Sequence, residues 1–400
     1  MSTDLATLID LGMSPVSNDL VEPCSVALPE ILFPLHVMVC ASCLLVQIGE
    51  FHKPSDIFGS DYAYFSSFST TWLEHARVFS ERVLDRVHLA EGDLVVEIAS
   101  NDGYLLQNFI GKGLDVLGIE PAANVAEVAV RRGVPTEVAF FGQELAQTIV
   151  RKRGNAGLVV ANNVLAHVPD INDFVSGLSE LVGKHGLLSI EVPHLLALFQ
   201  NVQFDTIYHE HYCYFSLGTL RAIFKAHGMT VIDVERIPTH GGSLRIFVKN
   251  GIQLSESAHI GEILREEAEG GLGSASAMRG FAARVSGIKN RFLTFLLEAH
   301  ERGATVAGYG AAAKSTTFLN YCGVRSDLLT FVADISPRKQ GRFIPGCRIA
   351  IVPPDAIQKA RPDYVVIFAW NLRQEIVLQL QSIRSWNGKF VVALPDLQIF

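Results

Sequence analysis

The chain has 400 residues, 49% hydrophobic and 18% charged, with a formal net charge of −8. Because single hydrophobic cores seldom grow beyond roughly 250 residues, this length predicts two or three domains. The positive charges are scattered, which excludes a basic surface for nucleic acid or for an anionic membrane. We therefore expect a small soluble substrate.

The N-terminal region shows neither an export signal nor a membrane span. It lacks a basic first segment, and the apolar stretch 31–46 is interrupted by Pro34, His36, Cys40 and Cys43. Six cysteines scattered over the whole length do not form a disulfide framework. These features predict a cytoplasmic protein.

The first 60 or so residues predict a loop-rich module. Prolines punctuate its short apolar runs at Pro15, Pro23, Pro29 and Pro34. Cys40-Ala41-Ser42-Cys43 has the spacing of half a zinc ribbon, but the sequence has no second C-x2-C pair to complete a tetrahedral site. Cys24 and His36 are possible substitutes, and a free cysteine pair is the favoured interpretation.

The first nucleotide-binding pattern begins at residue 94. The apolar strand 94–98 runs into a small polar turn, 99–103, and then into an apolar helical pattern. The next strand, 116–119, ends in Glu120, where an acid can accept hydrogen bonds from ribose hydroxyls. This arrangement predicts the first β-turn-α unit of a nucleotide-binding domain, with a purely structural unit as the alternative.

The composition of the turn indicates the kind of ligand. Ala99 and Asn101 occupy positions where dinucleotide-binding folds carry glycine. This favours an adenosyl ligand without a pyrophosphate, of which S-adenosylmethionine is the common example. The predicted cofactor-binding residues are Glu97, Ala99, Asn101, Gly103, Glu120 and Asn163.

Further elements of this domain follow from short apolar runs and helical periodicity. Strands are predicted at 157–161, 187–192, 230–235 and 244–249, and helices at 71–87, 124–132 and 173–182. Asn163 and His167 follow a strand and should lie at the carboxyl edge of the sheet, where open α/β folds bind ligands. A histidine there could equally be an ordinary loop residue.

The densest polar segment is Tyr208-His209-Glu210-His211-Tyr212-Cys213-Tyr214, in which every side chain is titratable. Burying such groups unpaired is costly, so the segment predicts a functional loop. Two alternatives remain open. One is a polar surface loop, and the other is a metal site, since His209 and His211 would share one face of an extended segment.

Residues 255–300 predict helix, broken at Gly270-Gly271-Leu272-Gly273. The part of this segment after the glycine break has an apolar stripe, which is typical of a helix packed between two domains.

The last hundred residues predict a second α/β unit. Its first turn, 308–313, matches G-x-G-x-x-A, and Asp334 ends the next strand, so a dinucleotide site is one interpretation. The turn also places backbone N–H groups at a helix N-terminus, which suits a phosphate. Lys314, Lys339 and Arg342 are available to neutralise a diphosphate.

The order of these motifs resembles that of S-adenosylmethionine-dependent C-methyltransferases that act on nucleotide-linked 4-keto-deoxysugars in deoxysugar biosynthesis and add a methyl group at sugar C3. The similarity extends from Ile9 to the C-terminus. Its marks are Glu97 to Gly103, His167-Val168-Pro169, Tyr208-His209-Glu210-His211, His240-Gly241-Gly242-Ser243, Gly308 to Ser315, Asn320-Tyr321-Cys322-Gly323, Lys339-Gln340-Gly341-Arg342 and Phe368-Ala369-Trp370-Asn371.

The resemblance implies an α/β protein with three modules. These are a small loop-rich N-terminal module (1–70), a Rossmann-like methyltransferase domain (71–255), and a helical linker with a second Rossmann-like domain (256–400). The family's N-terminal module binds zinc through two cysteine pairs, whereas this sequence has one, Cys40 and Cys43. We therefore expect an incomplete zinc site in an N-terminally shortened chain. We also expect a monomer without nucleic-acid or membrane partners.

The resemblance also assigns roles around the substrate. His211 is implied to be the base, with Tyr208, Glu210, His167 and Tyr62 around the sugar. The C-terminal domain is implied to hold the nucleotide of the substrate. The predicted substrate-binding residues are Gly308, Gly310, Lys314, Ser315, Asn320, Asp334, Lys339 and Arg342.

Histidine, glutamate and tyrosine side chains suit the deprotonation of a carbon beside a ketone. A proton beside a ketone can be removed when a base is close and the enolate is stabilised. Neutral His211 can accept it near pH 7, Glu210 is expected to orient the ring or hold its charge, and Tyr208 or His167 is expected to donate to the enolate oxygen. The alternatives are a nicotinamide-dependent oxidoreductase using Gly308, Gly310 and Asp334, and a non-catalytic protein that binds sugar nucleotides.

Overall fold

The computed structural model describes residues 4–51, 53–59, 62, 65–252 and 254–400. The strands are β1 Leu5–Ser14, β2 Phe33–Cys40, β3 Val46–Ile48, β4 Leu94–Ile98, β5 Asp115–Ile119, β6 Thr136–Glu137, β7 Leu158–Asn162, β8 Leu187–Pro193, β9 Cys213–Tyr214, β10 Met229–Ile237, β11 Ser243–Asn250, β12 Val306–Tyr309, β13 Val332–Ala333, β14 Ile351–Val352, β15 Tyr364–Ile367, β16 Lys389–Val392 and β17 Gln398–Ile399. The α-helices are α1 Pro54–Ile57, α2 Thr70–Arg86, α3 Ala123–Arg131, α4 Gln143–Arg153, α5 Ile171–Val182, α6 Leu195–Gln200, α7 Leu217–Ala226, α8 Ala258–Glu267, α9 Phe281–Glu301, α10 Ala313–Cys322, α11 Asp355–Ala360 and α12 Arg373–Gln379. No helix within these described ranges has the length and apolarity needed to span a membrane.

The methyltransferase-like domain contains a seven-stranded sheet in the order β10-β11-β8-β7-β4-β5-β6. Its strands are parallel except β11, which runs antiparallel to both neighbours. The strand order reverses between β4 and β7, and such a switch point is where doubly wound sheets bind ligands. β4 and β7 are buried throughout, as expected for a sheet covered on both faces. The predicted α/β class and Rossmann-like domain are confirmed.

The segment after β4 differs from the predicted strand-turn-helix. Residues 101–113 form successive turns with a 3₁₀ turn at Leu106–Asn108 in place of an α-helix. Gly111 and Gly113 have φ of 78° and 75°, in the left-handed region, and this conformation ends any helix before β5 begins. Leu105 and Phe109 are still buried, so the apolar pattern fills the core without forming the predicted helix.

The N-terminal module is more regular than its prolines suggest. β1 and β2 pair in antiparallel fashion from Leu5 with Cys40 to Ser14 with Phe33, with two irregularities in the register. β3 and β9 complete a four-stranded sheet. Because β9 ends the polar segment 208–214, this sheet connects the N-terminal module directly to the predicted catalytic loop.

The C-terminal domain contains a six-stranded sheet in the order β14-β13-β12-β15-β16-β17, parallel except for β17. Its order reverses between β12 and β15, so the predicted second Rossmann-like domain is confirmed and has its own switch point.

The helical linker lies between the modules. α8 ends in a π-helical turn, Ala268–Leu272, at the predicted glycine break, and Gly271 has φ of 88°. The apolar stripe of α9 is buried in a core shared with β1, β2, α6 and the C-terminal domain. This confirms that the stripe packs between domains.

Candidate active site

The turn after β4 and the acid after β5 are joined by hydrogen bonds. The Asn101 N–H donates to Glu120 Oε2 over 3.0 Å, and the Ala122 N–H donates to Glu120 Oε1 over 2.9 Å. Ala99 and Asn101 have left-handed φ of 56° and 48°, a conformation that asparagine tolerates better than most residues. Burial raises the pKa of Glu120 to about 6. Each carboxylate oxygen keeps a further lone pair for ribose hydroxyls.

Asn163 lies across the switch point, directly after β7. Its φ is 54°, and neither polar atom of its buried amide has a hydrogen-bond partner within the described structure. The buried Oδ1 of the preceding Asn162 likewise has none there. Burying such atoms without partners is costly, so these amides fit a polar ligand. With Glu120 and Asn101 at the same edge, the predicted residues fit an adenosyl group.

Two other predicted cofactor residues, Glu97 and Gly103, are defined by their surroundings inside the protein. Glu97 lies inside β4, where burial raises its carboxyl pKa well above the usual value and the Tyr104 hydroxyl opposes this shift. Gly103 has φ of 78°, and a Cβ there would lie 2.8 Å from Val134 Cγ2. Gly103 is therefore required by the turn and by packing against Val134.

His211 is held in one tautomer. Its Nδ1 lies 3.2 Å from the Thr206 carbonyl oxygen, and because a carbonyl can only accept, Nδ1 carries the proton. Nε2 then has a free lone pair and accepts from the Tyr208 hydroxyl, 3.1 Å away. Burial lowers the pKa of His211 well below its usual value, and His167 and Lys314 lower it further. His211 is therefore neutral at pH 7.

His167 is oriented in the same way. Its Nδ1 donates to the Glu210 carbonyl oxygen over 2.7 Å, and its ring centroid is 4.7 Å from that of His211. Burial lowers the pKa of His167 to about 4, so the ring is neutral and Nε2 is an acceptor. The expectation that His167 donates to an enolate oxygen therefore does not fit this geometry.

Glu210 does not orient the ring of His211, contrary to our expectation. Both of its carboxylate oxygens accept from the Asn18 amide, over 2.7 and 2.8 Å. Burial raises the pKa of Glu210 to about 7, while Asn18 and the charge of Lys339 oppose the shift. Glu210 thus ties the loop to the N-terminal module and orients His167 through its backbone.

His209 and His211 do not form a metal site. His209 Nε2 donates to the Pro34 carbonyl oxygen over 3.2 Å, and its ring contacts Phe33 and Phe51. Its side chain therefore packs on the N-terminal module, whereas His211 contacts Tyr208 and His167. The placement of these two side chains therefore does not support the metal interpretation of this loop.

Tyr62 lies at the outer edge of the cluster. It packs against Phe65, Ala122 and Val125, and the last two lie within five residues after Glu120. Its ring is 5.2 Å from that of Phe58, whose ring is 5.5 Å from His167. Tyr62 therefore lies between the adenosyl edge and the histidine pair.

Lys314 is the cation at the switch point of the C-terminal sheet. Its Nζ donates to Asn371 Oδ1 over 2.9 Å and lies 4.2 Å from the centroid of the Trp370 ring. Burial lowers the pKa of Lys314, and Asp205 opposes that shift. The first turn of α10, which contains Lys314, leaves N–H groups outside the helical ladder. Lys314 and these groups fit an anion.

The glycines and Asp334 of this turn have internal partners. A Cβ on Gly308 would meet the Phe368 ring at 2.6 Å, and Gly310 has φ of 94° beside Ala369. Asp334 accepts from the Ala311 N–H through Oδ2 and from the Ser336 N–H through Oδ1, both over 2.8 Å. These residues shape the turn.

The remaining predicted nucleotide residues bond to other groups of the protein, and of these residues Asn320 and Arg342 have partners away from the turn. The Ser315 hydroxyl donates to the Ala312 carbonyl oxygen, and the Asn320 amide donates to Thr316 and Pro345. Arg342 pairs with Glu22 over 2.7 Å. Lys339 donates to the Ala311 carbonyl oxygen over 2.9 Å and stays beside the turn.

Several residues of the cleft had no role in the sequence-based prediction. Trp370 Nε1 donates to Asp205 Oδ2 over 2.7 Å, which connects the two Rossmann-like domains. His240 has a φ of 54°, and its ring lies 5.3 Å from that of Trp72. A pocket of about 260 Å³ between the domains is lined by Asn201, Gln203, Gly241, Trp370, Leu394 and Pro395. The available signal was that the motifs around His240 and Trp370 are both among the marks of the family resemblance.

Within the described part of the chain, the cysteines do not complete a zinc site. Cys40 is buried and Cys43 is exposed, whereas Cys24 lies beside Ser25 and His36 Nε2 lies 2.9 Å from the Thr7 hydroxyl. Among the residues that the structure describes, no three His, Cys, Asp or Glu side chains are placed to hold a metal ion. Cys40 and Cys43 alone do not fit tetrahedral zinc.

Comparison with known proteins places three family models along the chain. Residues 1–58 match a putative zinc binding domain, residues 72–234 a methyltransferase domain, and residues 238–395 a C-methyltransferase C-terminal domain. The C-methyltransferase NovU of Streptomyces niveus is 36% identical over 397 residues, covering 99% of this chain and 94% of NovU. The oxidoreductase alternative is therefore wrong, since the segment carrying Gly308 and Asp334 matches a C-methyltransferase domain.

Solved structures show partial similarity. Magnesium protoporphyrin IX methyltransferase of Synechocystis PCC 6803 with bound SAH is 19% identical, covers 49% of this chain and 92% of its own, and has a TM-score of 0.36. An S-adenosylmethionine-dependent methyltransferase of Clostridium acetobutylicum ATCC 824 is 11% identical, covers 45% and 92%, and has a TM-score of 0.37. The family assignment rests on the sequence matches.

Proposed function

We propose that this chain, which belongs to the C-methyltransferase family and is an S-adenosylmethionine-dependent enzyme, methylates C3 of a nucleotide-linked 4-keto-deoxysugar. The observation that carries the proposal is the state of His211, which is half-buried and neutral, has Nε2 unprotonated, and lies near His167 and Lys314. The cofactor, when bound, supplies an electrophilic methyl group. The chain supplies a base and the positions of both substrates.

His211 is suited to removing the C3 proton. The Thr206 carbonyl keeps Nδ1 protonated, so the Nε2 lone pair is the one available to a substrate. The proton moves from C3 to Nε2, and the electron pair of the C–H bond moves into an enolate that includes the C4 oxygen. The C3 carbon of this enolate would then form the bond to the methyl group, while the methyl–sulfur bond of the sulfonium would break and leave its electron pair on sulfur as a neutral thioether.

Tyr208 is suited to stabilising the enolate. Burial raises the pKa of its hydroxyl well above the usual value, so it stays protonated and donates. In this structure it donates to His211 Nε2. When the substrate C3–H takes that place at Nε2, the freed hydroxyl donates to the neighbouring C4 oxygen.

The C-terminal domain is suited to the nucleotide. A diphosphate carries negative charge, and Lys314 is a cation at the first turn of α10. Lys314 is close enough to His211 and Asp205 for electrostatic interaction with both. A nucleotide held there would place its sugar towards the histidines.

The test uses His211→Asn, which removes the base and keeps part of the ring's bulk. Labelled S-adenosylmethionine and a panel of nucleotide-linked keto sugars measure methylation, and exchange of the C3 proton with deuterated water measures deprotonation. We expect kcat to fall by about 10²- to 10⁴-fold with little change in affinity for either ligand. His227→Asn is the matched control, because His227 bonds to Ser176 and Asn172 outside the site.

Exchange and methylation at the wild-type rate in folded His211→Asn protein would exclude His211 as the base. His167 would be the next candidate, since its Nε2 is also an acceptor. If the wild-type protein transferred label to none of the 4-keto sugars in the panel, the proposed substrate class would be excluded.

A further inference from the structure

The short segment before the catalytic histidine is held by the C-terminal domain at two points. Trp370 Nε1 donates to Asp205 Oδ2 over 2.7 Å, and Thr317 Oγ1 donates to the Ile207 carbonyl oxygen over 2.8 Å. These bonds flank Thr206, whose carbonyl oxygen accepts from His211 Nδ1. The orientation of that carbonyl is therefore fixed from the other domain.

The carbonyl of Thr206 determines which nitrogen of His211 can act. If it turned away, Nδ1 would lose its acceptor and the proton could move to Nε2, which would then donate to the Tyr208 oxygen. The lone pair of the ring would then be on Nδ1 and would no longer face Tyr208. Neutral histidine interconverts between two tautomers, and its hydrogen-bond partners determine which tautomer is populated.

We propose that Asp205, Trp370 and Thr317 are positioning residues that hold the Thr206 carbonyl against His211 Nδ1 and so keep Nε2 of His211 available. The C-terminal domain thereby sets the tautomer of a histidine in the methyltransferase domain. The inference rests on the proposed function in giving His211 the role of base, whereas the tautomer can be measured without any substrate.

The anchors lie on the two elements that carry the predicted nucleotide site. Thr317 is on α10, three residues after Lys314 and thus on the same side of the helix. Trp370 follows β15, next to Asn371, which accepts from Lys314. A phosphate at Lys314 would contact the same elements that hold the 205–207 segment, so nucleotide binding and the orientation of the base are connected.

Two conservative variants remove one anchor each. Trp370→Phe deletes the N–H donor and keeps an aromatic ring under Lys314, and Thr317→Val deletes the hydroxyl at nearly constant volume. The matched controls remove equivalent bonds elsewhere. Trp386→Phe removes the bond from Trp386 Nε1 to the Pro362 carbonyl oxygen, and Thr316→Val removes the bond from the buried Thr316 hydroxyl to the Ser17 carbonyl oxygen.

The first readout is the tautomer. Long-range proton–nitrogen correlation spectra of protein with ¹⁵N-labelled histidine report which ring nitrogen carries the proton, and the His211 signals are those that His211→Asn removes. We expect the Nδ1–H form in the wild type, the controls and Thr317→Ser. Trp370→Phe and Thr317→Val should show the Nε2–H form or a mixture.

The second readout is kinetic. A misplaced base costs up to roughly 10²-fold, so kcat for methylation should fall by about 10- to 100-fold in both variants while affinity for S-adenosylmethionine is unchanged. Thr317→Ser should restore the rate. If both variants keep the Nδ1–H form, or lose activity without a tautomer change, the proposal is overturned. A tautomer change with an unchanged rate of C3 proton exchange would support the positioning role of these residues. It would also exclude His211 as the base.

Discussion

Replacing Glu120 by alanine tests the predicted ribose site and the stability of the turn that forms it. Glu120 is 4% exposed, and its two oxygens accept from the N–H groups of Asn101 and Ala122. The substitution therefore removes two internal acceptors and, in the complex, the acceptor for ribose hydroxyls. Stability and cofactor affinity should both change, and they can be measured separately.

The expected change in the free energy of unfolding has two opposing parts. Each buried backbone N–H that loses its acceptor costs ~1–3 kcal/mol of stability. Burial raises the pKa of Glu120 from 4.5 to about 6, so removing the carboxyl relieves ~2 kcal/mol of deprotonation cost at pH 7. The net loss is ~2 kcal/mol. Because the folded-state pKa is the higher one, the wild type gains stability as the pH falls through 6. The difference between wild type and variant should widen by ~1 kcal/mol from pH 7 to pH 5.

Urea unfolding at both pH values measures the stability, and calorimetry measures S-adenosylmethionine affinity, which should fall by ~1–3 kcal/mol. Glu127→Ala is the control, since Glu127 is an exposed acid on α3 that pairs with Arg131. Unchanged affinity in folded Glu120→Ala protein would refute the ribose assignment. A stability difference that narrows towards pH 5 would refute the raised pKa.

Three further substitutions test the rest of the structure. Arg245→Met should destabilise the fold by ~3–5 kcal/mol in urea unfolding, because the fully buried carboxylate of Glu191 loses its arginine partner and keeps only the contact with His75 among the described residues, and adding Glu191→Leu should restore much of the loss. Gly310→Val should abolish nucleotide-sugar binding and spare S-adenosylmethionine binding in calorimetry, because φ is 94° and a Cβ there would lie 3.2 Å from Ala369 Cβ; loss of both ligands would indicate unfolding. Lys314→Gln should lower nucleotide-sugar affinity by ~1.5–3 kcal/mol by removing a charged hydrogen bond, and an unchanged value would place the phosphates elsewhere.

The sequence by itself determined six of the seven strands of the methyltransferase-like sheet, all but the two-residue β6, and the positions of the switch-point loops of both Rossmann-like domains. Buried parallel strands need continuous apolar runs, and the residues after them must be small or polar, so both features are readable locally. The strands at 94–98 and 187–192 were predicted within a residue of their observed ends. The resemblance likewise followed from motifs in order along the chain, and its coarser part, membership of the C-methyltransferase family, is confirmed.

Only the tertiary structure decided which groups the polar side chains would meet. Glu210 was expected to serve the adjacent His211 but bonds to Asn18, 192 residues away, and the tautomer of His211 depends on anchors from Trp370 and Thr317. A hydrogen-bond partner is chosen by how distant segments pack, and local periodicity contains no information about that packing. The partners of buried polar groups, and hence the acid–base properties of the site, were therefore set by the tertiary fold.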